Sequence, residues 1–192
     1  MNDAFNYVAV LVSIVSGLAL TRLMSALSEM IQSANRTRIY WVHVTWILTL
    51  VLEVMLSWWV LYRWHTAPVW TFFLFVWVTI PPILLYLCSA VLFPGELETT
   101  GSPTWRDYYY KNRRGFFFIL GAIAPLDIID TLLKGRQHFI EQGSLYLPFI
   151  ALWGFGCLAA GITKNEKFHA AWAIIFPLAI IFYTSKVLLN LG

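Results

Sequence analysis

Residues 40–62 constrain the chain most. They read YWVHVTWILTLVLEVMLSWWVLY, a run of 23 residues with a single charged member, Glu53. At roughly 1.5 Å per residue such a run crosses the hydrocarbon core of a bilayer as one helix. Thr45, Thr49, Glu53 and Ser57 recur every four residues. That spacing stacks them into one stripe along a helix. The remaining surface is Val, Leu, Ile and Trp, so other spans are expected to cover the polar stripe. An acid surrounded by hydrocarbon is expected to stay neutral and to hydrogen-bond with Thr49 or Ser57.

The rest of the 192 residues reads the same way. Hydrophobic residues make up 59% and charged residues 12%, against about 25% charged in soluble domains. The fold expected is all-α: a single membrane-embedded domain, a polytopic bundle of about six transmembrane helices. Spans are expected at residues 5–27, 40–62, 69–93, 115–133, 145–162 and 168–189, with an interfacial linker at 95–114. No stretch is long and polar enough to hide a soluble catalytic domain, and the net charge of +3 sits at span ends, which argues against a nucleic-acid partner. The start Met1-Asn2-Asp3 lacks the basic region of a signal peptide, so the first apolar run is expected to remain as a span.

The first span carries Ser13, Gly17, Thr21 and Ser25 at spacing four, a small-residue face suited to close helix packing. It is expected to meet the stripe of the second span. Arg22 lies off that face, placed to snorkel to the headgroups or to lie on Trp46. Trp58, Trp59, Tyr62, Trp64 and Trp70 read as an interfacial aromatic belt. Pro81-Pro82 kinks the third span or opens it along a cavity. In the linker, Thr104-Trp105-Arg106-Asp107 has the form of a capping box. Trp105, Lys111, Arg113 and Arg114 are expected on a short helix lying in the membrane interface, in contact with lipid.

The fourth span is marginal. Ten apolar residues contribute about −5 kcal/mol to insertion, and Asp127 and Asp130, at up to about +3 each, cancel it. These acids share one face and, with Glu53, form a candidate ion site, since oxygen ligands suit hard cations. The blander expectation pairs Asp130 with Lys186 at matched depth. Gly154, Gly156, Ala160 and Gly161 prepare the fifth span for close packing.

His43 and His169 fall at one depth, where a metal or haem between helices is an alternative to interfacial histidine. No HExxH spacing occurs and neither Cys88 nor Cys157 belongs to a CxxC, so no metal, cofactor or catalytic role is expected. Eight Lys and Arg flank one set of span ends (Arg36, Arg38, Arg106, Lys111, Arg113, Arg114, Lys164, Lys167) and three the other (Arg63, Lys134, Arg136). The first side is therefore expected in the cytoplasm, with both termini outside.

Phe5-Asn6-Tyr7-Val8 followed by Ser13-Ile14-Val15-Ser16-Gly17-Leu18-Ala19-Leu20-Thr21 resembles the first span of a group of small bacterial polytopic membrane proteins with no established activity. Tyr40-Trp41, Trp58-Trp59, Pro81-Pro82, Phe93-Pro94 and Asp107-Tyr108 are similar to later landmarks of that group. The resemblance implies a multi-pass protein of the bacterial inner membrane and carries no catalytic residue. Two functions are compatible with these features. One is a small oligomeric unit for permeation or transport of an ion, proton or solute, with Glu53, Asp127, Asp130, Thr49, Ser57 and Arg22 as its candidate residues. The alternative is a non-transporting sensor or assembly subunit whose 95–114 linker binds a partner protein or anionic lipid.

Overall fold

The computed structural model describes residues 3–32, 39–66, 69–93 and 104–187, and these are helical with no strand among them. In chain order the helices are α1 (Asp3–Gln32), α2 (Trp41–Leu61), α3 (Phe72–Leu92), α4 (Trp105–Leu133), α5 (Arg136–Glu141), α6 (Tyr146–Ile162) and α7 (Glu166–Val187). A 3-10 turn, Tyr62–Thr66, ends α2. Five helices are long and apolar enough to cross a membrane, and α6 is a shorter apolar helix of 17 residues. At about 1.5 Å per residue α6 reaches the lower limit for a span. The chain is thus an all-α, multi-pass membrane protein. The connection at 33–38, Pro68, Pro94-Gly95 and linker residues 95–103 lie outside the described residues.

Helices suit this chain because hydrocarbon offers no partner to a backbone group, and a helix pairs its own. Polar side chains close the helix starts. Thr71 Oγ1 accepts from Leu74 N at 3.2 Å. Thr104 Oγ1 accepts from Asp107 N at 3.4 Å, the first bond of a capping box, and also donates to Asp107 Oδ2 at 2.8 Å. Asn165 Oδ1 accepts from Lys167 N at 3.0 Å and so starts α7.

The helices run up and down. One end of the bundle, here the upper, holds the start of α1, the 3-10 turn and α5. The lower end holds the starts of α2, α4 and α7. Helix α2 lies at the centre, against α1, α3, α4 and α7, while α4 packs mainly on α6 and α3. The lower half of the core closes around Trp46, whose ring centroid lies 5.4, 5.0 and 5.6 Å from those of Phe116, Phe117 and Phe176. Such pairs each contribute about 0.5–1.5 kcal/mol beyond burial. Gly156 and Gly161 leave room for the rings of Trp172 and Phe118, where a Cβ would collide.

Three expectations are corrected. The small-residue face of α1 does not pack into the α2 stripe: Thr21 and Ser25 are exposed, a Cβ on Gly17 would meet nothing within 4 Å, and the exposed Ser13 meets α2 off the stripe, accepting from Trp58 Nε1 at 3.0 Å. The buried line is Val8, Val12, Ser16, Ala19, Leu23, Ala26 and Met30. Residues 105–114 do not form a separate interfacial helix but are the first turns of α4, because no residue there breaks the helix. Asp130 does not meet Lys186, which is exposed; it forms an ion pair with Lys134, one turn away on its own helix.

Candidate binding cavity

The upper half of the bundle is not filled. A cavity of about 150 Å³ runs from Glu53 in the middle to Arg63, Lys134 and His138 at the upper end. One water needs roughly 10–15 Å³ of such space, so several fit. Helix α2 contributes Glu53 and Ser57, α3 contributes Pro81 and Pro82, α4 contributes Asp127 and Asp130, and α6 and α7 contribute Trp153 and Tyr183. Helix α3 stays continuous through its prolines. Lacking N–H groups, they leave two carbonyls of the preceding turn without their usual partners.

Glu53 is 7% exposed, and its Oε1 has no hydrogen-bond partner. The expected bonds to Thr49 and Ser57 are not made. Thr49 Oγ1 donates to Thr45 O at 2.8 Å and Ser57 Oγ to Val54 O at 2.9 Å. A hydroxyl in a helix can bond a carbonyl of the preceding turn of its own backbone, and here that contact wins. Asp127 Oδ2 accepts from Tyr146 Oη at 2.9 Å, and that hydroxyl lies 3.0 Å from Thr131 Oγ1. Asp130 accepts from Trp64 Nε1 at 3.1 Å and from Lys134, whose ammonium lies 5.1 Å from the Trp64 ring centroid. Tyr183 Oη donates to Gln142 Oε1 at 2.6 Å, and Gln142 Nε2 lies 2.9 Å from His138 Nε2. Burial, then the charges of Lys134 and Arg63, push the His138 pKa below its usual value.

The structure therefore gathers Glu53, Ser57, Asp127 and Asp130 around one cavity. Thr49 and Arg22 are not part of it. Arg22 Nη2 reaches Phe93 O, at the end of α3, at 3.5 Å; Trp46 is enclosed by phenylalanines, and the cation–π contacts among the described residues are Arg106 on Tyr110 and Lys134 on Trp64. Trp64 was expected in the interfacial belt but turns inward. Tyr146, Trp153 and Tyr183 carry no sequence motif, and Lys134 reads in the sequence only as a span-end charge. Only Lys134 was within reach of pattern reasoning, four residues after Asp130 on one helix.

The lower-end residues divide differently. Lys111 and Arg114 are exposed, and Trp105 is partly buried against His43, with ring centroids 5.4 Å apart. Arg113 is 5% exposed and faces protein, not lipid: its Nε donates to Thr163 O at 2.9 Å and its Nη1 to Tyr110 O at 2.7 Å. Both nitrogens of His169 are engaged, Nδ1 with Tyr109 Oη at 2.8 Å and Nε2 with Thr163 O at 3.1 Å. That leaves His169 no nitrogen for a metal shared with His43. Among the described residues no three His, Cys, Asp or Glu side chains are grouped to hold a metal ion, so the three acids line a common space without forming an ion cage. Compared with known protein families, curated proteins and solved structures, the chain matches none.

Proposed function

We propose that the protein is a membrane transport unit in which the upper cavity conducts a proton or a cationic solute to and from Glu53. One observation carries the reading: a carboxyl oxygen without a protein partner, in mid-bundle, on the wall of a cavity that reaches the upper end. Leaving a buried polar group unpaired costs about 1–3 kcal/mol. A purely structural acid would be tied to its neighbours, and an ionisable residue at this depth is by default a functional candidate. Asp127 and Asp130 line the way in. Below Glu53 the aromatic cluster around Trp46 closes the path, so passage requires that floor to rearrange. Prolines inside α3, α4 and α7 supply places to bend.

The closed floor also favours a second reading, a receptor pocket that binds a solute from the upper side without passing it on. Flux measurements on the purified protein in liposomes separate the two. Under imposed proton and cation gradients, a transport unit gives flux above empty liposomes, and Glu53→Gln abolishes it with the fold intact. Wild-type protein without flux supports the receptor. Undiminished flux in folded Glu53→Gln removes the role assigned to this carboxyl.

A further inference from the structure

The cavity walls narrow the substrate class, on the reading that solute enters this cavity and reaches Glu53. We propose that it takes a small organic ammonium ion, with the cationic head between Glu53 and Asp127 and the apolar body against Phe149, Trp153 and Tyr183.

A bare metal cation is poorly served here. Hard cations take about six or more oxygen ligands. Asp130 is already held by Lys134 and Trp64, and Asp127 by Tyr146. A proton needs neither the volume nor the aromatic wall. Phe149 and Tyr183 stack with centroids 4.5 Å apart and planes 2° from parallel, and Trp153 stands edge-on to Phe149 at 5.9 Å. Aromatic rings beside a carboxyl give the methyl and methylene groups of an alkylated ammonium ion an apolar wall next to the group that holds its charge. Leu85, Ile123 and Ile180 complete an apolar lining that suits methylene and methyl groups but offers nothing to a hydrated ion.

The basic residues facing the cavity do not cancel the acids. Lys134 is neutralised by Asp130. His138 is held toward its neutral form. Arg63 is ten residues beyond Glu53, roughly 15 Å along the helix, and Coulomb attraction at that distance is about a quarter of that at 4 Å. Deep in the cavity the groups left to face an ammonium head are therefore the two carboxyls, Glu53 and Asp127.

The test uses the full-length protein in detergent, titrated with choline and followed by calorimetry. Parallel titrations use 3,3-dimethylbutan-1-ol, which has the same shape without the charge, and potassium. Choline is expected to bind saturably, the neutral alcohol about tenfold or more weaker, and potassium not at all. Glu53→Gln, folded by circular dichroism, should weaken choline by about 10- to 100-fold, the range for loss of a charged hydrogen bond, and leave the alcohol unchanged. Phe149→Leu, which removes a ring and no hydrogen bond, should weaken choline by about 2- to 5-fold. Absence of saturable choline binding, equal affinity for the alcohol, or unchanged choline affinity in Glu53→Gln overturns the proposal. Choline binding without flux in liposomes leaves it standing and removes transport. Glu53-dependent proton flux without choline binding does the reverse.

Discussion

Glu53 shows what a lone acid in a span does and does not announce. Its inward position follows from the cost of facing acyl chains, and the structure agrees. Its hydrogen bonding does not follow, because Thr49 and Ser57 each have a carbonyl of their own helix within reach. Glu53→Leu therefore strands no partner. It is expected to leave the unfolding midpoint in detergent unchanged or to raise stability by up to about 1–3 kcal/mol, the cost of the unpaired group it removes, while eliminating flux. A clear loss of stability would show that Glu53 is tied into the fold after all. Asp130 illustrates a different limit. Matching depth proposed Lys186, yet one helical turn brings Lys134 closer with less chain to order. A double-mutant cycle on Asp130→Asn and Lys134→Met should give a coupling of about 0.5–3 kcal/mol, and Lys186→Ala should be neutral. His138 adds a pH dependence. Its folded pKa lies below the ordinary value of 6.5, so just below that pH the unfolded chain binds a proton that the folded chain does not. This contribution to stability is complete about a unit above 6.5 and is lost as the pH falls through 6.5 toward the folded value. The unfolding midpoint should drop between about pH 7.5 and 5, and His138→Gln should flatten that slope.

At the scale of the helices, the spans were legible and their faces were not. A run such as 40–62 declares a helix by length and composition alone. Which side of it faces protein is another matter, because lipid and protein interior are equally apolar and hydrophobic periodicity loses its meaning. Helix α1 makes the point: its buried line, Val8 through Met30, is no more apolar than the exposed Val10, Ile14 and Leu18. The small residues that looked like a packing face lie outside, whereas those of α6 do receive neighbouring side chains. Gly156→Ala is expected to destabilise by about 1–3 kcal/mol through overpacking against Trp172, and Gly17→Ala, with open space around it, to stabilise by up to about 1 kcal/mol through helix propensity, both read by unfolding in mixed detergent. Helix α4 misled for an electrostatic reason. Counting Asp127 and Asp130 as if exposed to lipid made the segment marginal, but the cavity, Tyr146 and Lys134 solvate both acids, so one helix runs from Trp105 to Leu133. Its basic first turns differ in role. Arg113→Ala removes donors from Thr163 O and Tyr110 O and should cost about 1.5–3 kcal/mol. Exposed Lys111→Ala and Arg114→Ala should fall within about 0.5 kcal/mol of wild type.

For the whole molecule the question is which compartment the cavity faces, and that depends on orientation. The lower end carries Arg106, Lys111, Arg113, Arg114, Lys164 and Lys167, with Arg36 and Arg38 in the connecting sequence; the upper end carries Arg63, Lys134, Arg136 and Lys186. Basic residues near span ends are retained on the cytoplasmic side, so the cavity mouth at Arg63, Lys134 and His138 should open outward. Cysteine labelling in intact cells tests this, in a background with Cys88 and Cys157 replaced by Ala. Gln142 is a poor reporter because it is buried and holds Tyr183; Ser144 and Lys164 are exposed at the upper and lower ends and serve instead. An impermeant thiol reagent added from outside should label Ser144→Cys and spare Lys164→Cys until the cells are opened. Ser57→Cys joins orientation to the cavity. Ser57 lines the cavity, and its hydroxyl bonds only its own helix, so the exchange should be tolerated. A small cationic thiol reagent should reach it from outside, faster than a neutral reagent of the same size, because Glu53 and Asp127 concentrate cations there. Glu53→Gln in the same background should erase the difference. Labelling of Lys164→Cys but not Ser144→Cys from outside would invert the protein and place the mouth of the cavity in the cytoplasm.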